Sequence, residues 1–230
     1  MKIAGYDYII YSDGGVAENG GAAAAAIVEA KGHDKGAVAG SKRHKIVCYL
    51  GEKNISAMEA EIFAGIVGLL CVQLLEKQVS ASAPAGRAVL AVRAAPAARV
   101  LWRCDNKVVA DAAEKFVAKW QSNSWKNARN KRVSYIKLWQ DFLSVSRNIE
   151  LNVCHVKSHS GNKQNEMCDK ACSWVQDKGV KLLEQGEGRI GGQKNAANAW
   201  LLLDMSKGLS VNTLRKKLVT PRGFEPLLSP

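Results

Sequence analysis

The sequence predicts an α/β fold built on a five-stranded mixed sheet flanked by helices. Three observations carry that expectation. Short β-branched or aromatic runs alternate with longer stretches of helical period, in the order βββ-α-β-α-α-β-α. All five prolines lie in two places, Pro84 and Pro96 in one stretch and Pro221, Pro226 and Pro230 at the end, so the rest is free of the strongest breaker. The 230 residues are 47% hydrophobic and 23% charged, which suits one core of ordinary size plus extensions and excludes wholesale disorder.

Each element has its own justification. Tyr6–Ser12 is aromatic and β-branched and ends at Asp13-Gly14-Gly15, a strand followed by a turn. Ala22–Glu29 and Lys45–Leu50 read as the next two strands, with a glycine-rich piece between them. Ser56 is placed to cap a long helix, with Glu59 three residues on to complete a capping box. That helix is expected to reach about Lys77, since Ile62, Phe63, Ile66, Leu69, Leu70, Val72 and Leu74 recur with a 3.6-residue period. Arg99–Cys104 is a short buried strand ending at Asp105. Lys107–Trp120 and Val133–Arg147 are helices around a polar, tryptophan-bearing connection. Glu150–Val156 is a strand and Asn165–Asp177 a helix. Beyond about residue 179 the pattern weakens. GEGRIGGQKN is a linker by composition, Asn195–Leu218 is expected to give one or two helices, and the last eleven residues read as a disordered tail. The plan is one domain over 1–178, with an Ala/Pro-rich insert at 79–98 and a basic protrusion at about 120–133, followed by the extension 179–230.

Charge narrows the partner. Lys and Arg number 33 against 21 acids, a formal +12. That balance favours a polyanion, with nucleic acid ahead of an anionic lipid surface. Lys115, Lys119, Lys126, Arg129, Lys131, Arg132, Lys137 and Arg147 face Asp141 alone, so one stretch holds most of the excess. No uninterrupted apolar run, Gly21–Val28 among them, approaches the ~20 residues a membrane span needs. No signal-peptide cleavage pattern follows the amino terminus, so a cytoplasmic monomer without a membrane partner is expected.

The six cysteines are expected to be reduced and to behave as small buried hydrophobes. His155, His159, Cys168 and Cys172 could in principle hold zinc, but the spacing lacks the usual C-x2-4-C knuckle. KGLSVNTLRKKL has the look of half a helix-turn-helix, a motif too short to carry DNA reading by itself.

The acids are more informative. Asp13 closes the first strand and Asp105 the fourth, and neighbouring strands of an α/β sheet bring their ends to one crevice. Glu61 lies early in the long helix. Asp169 lies one turn into the last helix, just past the loop KSHSGNKQ. Four acids so placed in a basic chain repel one another unless cations sit between them, and carboxylate oxygens are what Mg2+ or Mn2+ prefers.

These residues carry a resemblance. SDGG with Asn19 four residues after it, SAMEAEIFAGIVGLL, VLWRCDNKVVAD and VKSHSGNKQNEMCDKAC resemble, in order, the four blocks of a type 1 ribonuclease H. The resemblance covers about residues 5–177. It implies an endonuclease that hydrolyses the RNA strand of RNA–DNA hybrids by a two-metal-ion mechanism, leaving 5′-phosphate and 3′-hydroxyl ends. It places the metal ligands at Asp13, Glu61, Asp105 and Asp169, with two Mg2+ ions or Mn2+ in their place, and a proton-transferring histidine at His159. For the hybrid it points to Asn19, Ser56 and Phe116, and to a basic protrusion carrying Trp120, Trp125, Lys126, Arg129, Lys131 and Arg132. Trp139 is expected in the core and Glu59 on the surface.

The chain departs from the pattern in places. Ala57 and Met58 stand where an asparagine pair often precedes the glutamate, and the 79–98 insert replaces a short connection. Met1, twelve residues before Asp13, favours a free-standing protein over a piece of a reverse transcriptase. The alternatives are a DNA-processing nuclease of the transposase and integrase type on the same fold, or an inactive nucleic-acid-binding module.

Overall fold

The computed structural model describes residues 5–31, 42–51, 54–81, 97–158, 160–184, 188–190, 200–207 and 209–219. His159, the centre of the insert (82–96) and the tail from 220 lie outside the described residues. The sheet has seven strands, two more than the sequence suggests. They are β1 (Tyr8–Val16), β2 (Ala22–Ala30), β3 (Lys42–Gly51), β4 (Ala98–Cys104), β5 (Ile149–His155), β6 (Gly188–Ile190) and β7 (Trp200–Asp204). Their order is β5-β4-β1-β2-β3-β7-β6. β1, β2 and β3 form an antiparallel meander, β4 and β5 run parallel to β1, β7 runs parallel to β3, and β6 pairs antiparallel to β7.

The helices are α1 (Ala57–Ala81), α2 (Lys107–Asp111), α3 (Val117–Ser122), α4 (Ile136–Ser146), α5 (Lys163–Glu184) and α6 (Val211–Val219). A π-turn, Ala112–Phe116, joins α2 to α3. Helix α1 lies on one face of the sheet and α5 on the other, each over its own core cluster. β2 is a central strand although alanine is a poor strand former. Ala22, Ala24 and Ala26 face the α1 core while Ala23 and Ala25 face the α5 core, so short side chains let both helices settle close to the sheet. Gly65 serves the same end, because a Cβ there would meet the Trp102 ring at 2.2 Å.

One expectation is corrected below, and α1 is buried more fully than its helical period alone requires: every residue from Ala60 to Val72 is buried. It is long and apolar enough to cross a membrane, but that length is packed between the sheet, α4 and α6. The segment after residue 179 is also more than linker and helices. Trp200–Asp204 is a strand, since a short, wholly apolar run suits a buried strand as well as a helix, and β3 offers it an open edge. α6 is a helix, but Val211, Leu214 and Leu218 are buried in the α1-side core and Arg215 Nη2 donates to Gln73 Oε1 at 3.3 Å. That apolar face is therefore occupied, which argues against a recognition helix.

Candidate active site

β1 and β4 are parallel neighbours with Ser12 paired to Cys104, so the residues that follow, Asp13 and Asp105, emerge side by side. β1 continues to Val16, so Asp13 sits within the strand rather than at its end. From the α1 side, Glu61 reaches the same place. Ser56 and Glu59 form the capping box: Ser56 N donates to Glu59 Oε2 at 2.9 Å and Glu59 N donates to Ser56 Oγ at 3.2 Å. That commits Glu59 to the helix start and leaves Glu61, two residues on and so on the opposite side of the helix, aimed at the strands. The approach is close. A Cβ on Gly14 would lie 2.3–2.5 Å from the Ala60 and Glu61 backbone, so only glycine fits there. α5 delivers Asp169 from the other face.

Asp13, Glu61, Asp105 and Asp169 line one cleft of about 340 Å3, together with Asn106, Ser158, Asn165 and Glu166. Asn106 caps α2, its Oδ1 accepting from Val108 N and Val109 N at 3.1 and 3.2 Å, while its amide also hydrogen-bonds Glu61. Asn165 Nδ2 and Ser158 Oγ donate to Asp105 Oδ2 at 2.8 and 3.2 Å, which fixes the rotamer of that carboxylate. His155 Nε2 lies 3.1 Å from the Asp105 carbonyl, so that nitrogen carries a proton. Asn165, Ser158 and Asn106 are site residues that the carboxylate pattern did not single out. All three are polar residues beside a site acid, or in the loop and helix start that lead to one, which is the signal that would have found them.

Electrostatically the cleft is under load. Burial, and then the charges of Asp105 and Asp169, push Asp13 up to about 7. Burial, and then Asp13 and Asp105, push Glu61 up to about 9. Glu61 Oε2 and Asp105 Oδ1 are buried without a hydrogen-bond partner. Buried, unpartnered carboxylate oxygens crowding one another are what a small oxygen-seeking divalent cation satisfies, so the residues present fit such an ion.

Comparison with known proteins agrees with this geometry. Residues 84–176 match the RNase H family model. Over that stretch the chain is similar to the ribonuclease H family. It is 28% identical over 93 residues to ribonuclease HI of Synechocystis sp., covering 40% of this chain and 58% of that one. It is 36% identical over 75 residues to a ribonuclease H of Novosphingobium aromaticivorans, covering 33% and 52%. The chain thus spans about half the length of the curated relatives it matches. The crystal structure of LC9-RNase H1, a type 1 RNase H with the type 2 active-site motif, superposes with a TM-score of 0.53 at 17% identity, over 77% of this chain and 75% of that one. At that identity the likeness speaks for the ribonuclease H fold alone. The family match begins at residue 84, so the placement of Asp13 and Glu61 rests on the structure.

The other expected ribonuclease H positions divide. Asn19 is exposed on the β1–β2 turn, where its Oδ1 accepts from Gly21 N at 2.9 Å, outside the cleft lining. Ser56 is engaged with Glu59 and, at 3.2 Å, with the Tyr135 hydroxyl. Phe116 is 42% exposed on the π-turn and stacks on Trp120 with centroids 5.9 Å apart. Trp139 is core, as expected, at 3% exposure. Lys126, Arg129, Lys131 and Arg132 are exposed on a small hairpin held by a Lys126–Arg132 bridge and by Asn127 Oδ1, which accepts from Arg129 N and Lys131 N. Trp125 is half-buried against the core, so it anchors this hairpin. Lys115 and Lys137 are paired with Asp111 and Asp141, which removes them from the free positive surface. Among the described residues the His/Cys zinc set does not assemble: Cys168 and Cys172 are buried on the sheet-facing side of α5, donating to the Tyr11 and Asp13 carbonyls, and His155 is exposed, while His159 lies outside the described residues.

Proposed function

We propose that the chain hydrolyses the RNA strand of RNA–DNA hybrids, leaving 5′-phosphate and 3′-hydroxyl ends. The observation that carries this reading is the convergence of four carboxylates from four elements in one cleft, two of them with buried oxygens that lack a partner. Asp13, Glu61, Asp105 and Asp169 would hold two divalent ions, Mg2+ or Mn2+. When bound, these supply an activated water and a counter-charge for the leaving oxygen. The protein supplies the rest. Asn165 and Ser158 hold the Asp105 carboxylate in one orientation, and Gly14 lets Glu61 approach. His159, next in sequence to the cleft residue Ser158, takes up and releases the proton, since an imidazole near pKa ~6.5 exchanges protons at working pH. Selection of RNA rests on the 2′-hydroxyl, the group that marks the ribose.

The exposed hairpin cations add phosphate affinity that is independent of sequence. Phe116, exposed on the rim that the π-turn builds, offers a flat apolar surface to a sugar of the DNA strand. The working form in this reading is a cytoplasmic monomer, which sedimentation at micromolar concentration tests. The function is tested by incubating the protein with a hybrid labelled on either strand and with duplex DNA, with Mg2+ or with EDTA. Cleavage confined to the RNA strand, lost in EDTA and in Asp13→Asn, is expected. Cleavage of duplex DNA at a similar rate would replace the proposal with the transposase-like alternative.

A further inference from the structure

Beside the cleft, behind its lining residues, lies a group that an oxygen-ligated metal site does not use. Cys104, the last residue of β4, is fully buried in the α1-side core beside the carboxylates. One ligand atom from each of Glu61, Cys104 and Asp105 lies within 4.8 Å of the other two. Among the described residues this is the one such group of potential metal ligands. Two independent facts point from it to a cation. Glu61, 7% exposed, has its Oε2 without a hydrogen-bond partner, and Asp105 Oδ1 is likewise buried and unpartnered. The thiol donates to the Asn106 carbonyl at 3.5 Å, a bond that an ion held by the sulfur would replace.

Ligand chemistry separates the cations that could use this corner. Mg2+ wants six oxygens in an octahedron and gains nothing from sulfur. A thiolate selects zinc-class ions, which take sulfur and carboxylate oxygen together in a tetrahedron. Sulfur at about 2.3 Å and oxygen at about 2.1 Å from one ion are about 3.6 Å apart at the tetrahedral angle. Closing from separations of up to 4.8 Å is a movement of at most about 1.4 Å. The thiol proton leaves to solvent as the sulfur–metal bond forms.

We propose that Glu61, Cys104 and Asp105 form a binding site for a thiophilic divalent cation of the zinc and cadmium class, and that an ion held there excludes the oxygen-ligated metal from the same two carboxylates. The second half of this statement rests on the function proposed above, and the first half does not. The other buried cysteines do not compete for the role. Cys168 and Cys172 are on the sheet-facing side of α5 with their thiols donating to backbone carbonyls, and among the described residues none of Cys48, Cys71, Cys168 and Cys172 belongs to a group of three potential metal ligands.

The test uses the full chain, reduced and freed of metal. Cd2+ is titrated while the ultraviolet sulfur-to-cadmium charge-transfer band is followed, and affinity is read by competition with a chromophoric chelator. One equivalent should bind with the band. Cys104→Ser should abolish the band and weaken Cd2+ by at least about tenfold, the lower bound for losing even an outer-shell partner of a metal site. Glu61→Gln should keep the band and weaken Cd2+ by about 10–100-fold, and it serves as the check should Cys104→Ser fold poorly. Excess Mg2+ should move the titration to higher Cd2+, and Cd2+ should stop hybrid cleavage at the midpoint of the band. A band that survives Cys104→Ser, or an affinity indifferent to Glu61→Gln, overturns the site. A protein that shows the band with both dependences yet never cleaves hybrid keeps the site and loses the proposed function. One that cleaves with no Cys104-dependent band does the reverse.

Discussion

Glu61→Gln should make the metal-free protein more stable while it destroys activity. The carboxyl has an ordinary value near 4.5 and is pushed up to about 9 in the fold, with burial as the largest cause. A carboxyl raised on folding must take up a proton as the chain folds. There is no penalty below the unfolded value, and stability is lost as pH rises through the window between about 4.5 and about 9. Each pH unit in that window costs about 1.4 kcal/mol, so at pH 7 the penalty is about 3 kcal/mol. Glutamine keeps the shape and a neutral head group and never pays it. In a domain of this size 1 kcal/mol moves Tm by roughly 2–4 °C, so Glu61→Gln should melt roughly 6–12 °C above wild type at pH 7 in EDTA. At pH 5 the gap should shrink to roughly 1–3 °C, because wild type is then nearly unpenalised. The assay is thermal melting of both proteins in EDTA at the two pH values, with hybrid cleavage in Mg2+ measured beside it. A variant that melts at or below wild type at pH 7, or a gap that does not narrow at pH 5, would refute the picture of a loaded carboxylate cluster.

Other perturbations separate the parts. His159→Ala should lower kcat by roughly 10–1,000-fold while metal affinity by calorimetry is retained, and turnover equal to wild type at every pH would remove it from the mechanism. Neutralising Lys126, Arg129, Lys131 and Arg132 together should raise KM and flatten its salt dependence with kcat within a few-fold, the pattern of lost uniform binding; an unchanged salt slope would move the clamp elsewhere. Gly14→Ala should abolish activity and lower Tm, because its Cβ would overlap the Ala60 and Glu61 backbone, and a fully active variant would contradict the contact. Leu214→Ala, truncating a fully buried α6 side chain, should cost about 2–5 kcal/mol in urea unfolding if the extension is part of the core; no change would detach it.

How much of this was legible in the chain depends on the range of the interaction that fixes each part. The first five strands and the helices between them follow from local pattern, and their ends shift by only a few residues. The capping box was readable because its two partners are three residues apart and bond each other. The choice of Glu61 over Glu59 for the cleft came from the resemblance, and the capping-box bonds of Glu59 agree with it. Asp13 and Asp105 were readable as a pair because both follow residues paired between the parallel strands β1 and β4, although Asp13 lies inside its strand rather than at its end. The π-turn was not, since the extra residue in Ala112–Phe116 leaves no mark in composition and shows only in the backbone.

The carboxy-terminal strand shows where reading along the chain gives out. WLLLD has the same local character as a turn and a half of buried helix, and nothing in those five residues tells the two apart. What decides it is a partner some 150 residues earlier: the β3 edge, whose Ile46–Tyr49 backbone groups would otherwise be left open. Once β7 is fixed there, Met205 N donates to the Tyr49 carbonyl at 2.7 Å and the chain is delivered over α1. α6 then buries Val211, Leu214 and Leu218 in the same core cluster as the apolar residues of α1. α1 is apolar all round for this reason. The helix that positions Glu61 has no polar face to give to solvent, so the extension that covers it also holds a wall of the cleft. The carboxylate cluster raises the free energy of the metal-free fold, and the added strand and helix supply apolar burial that offsets it.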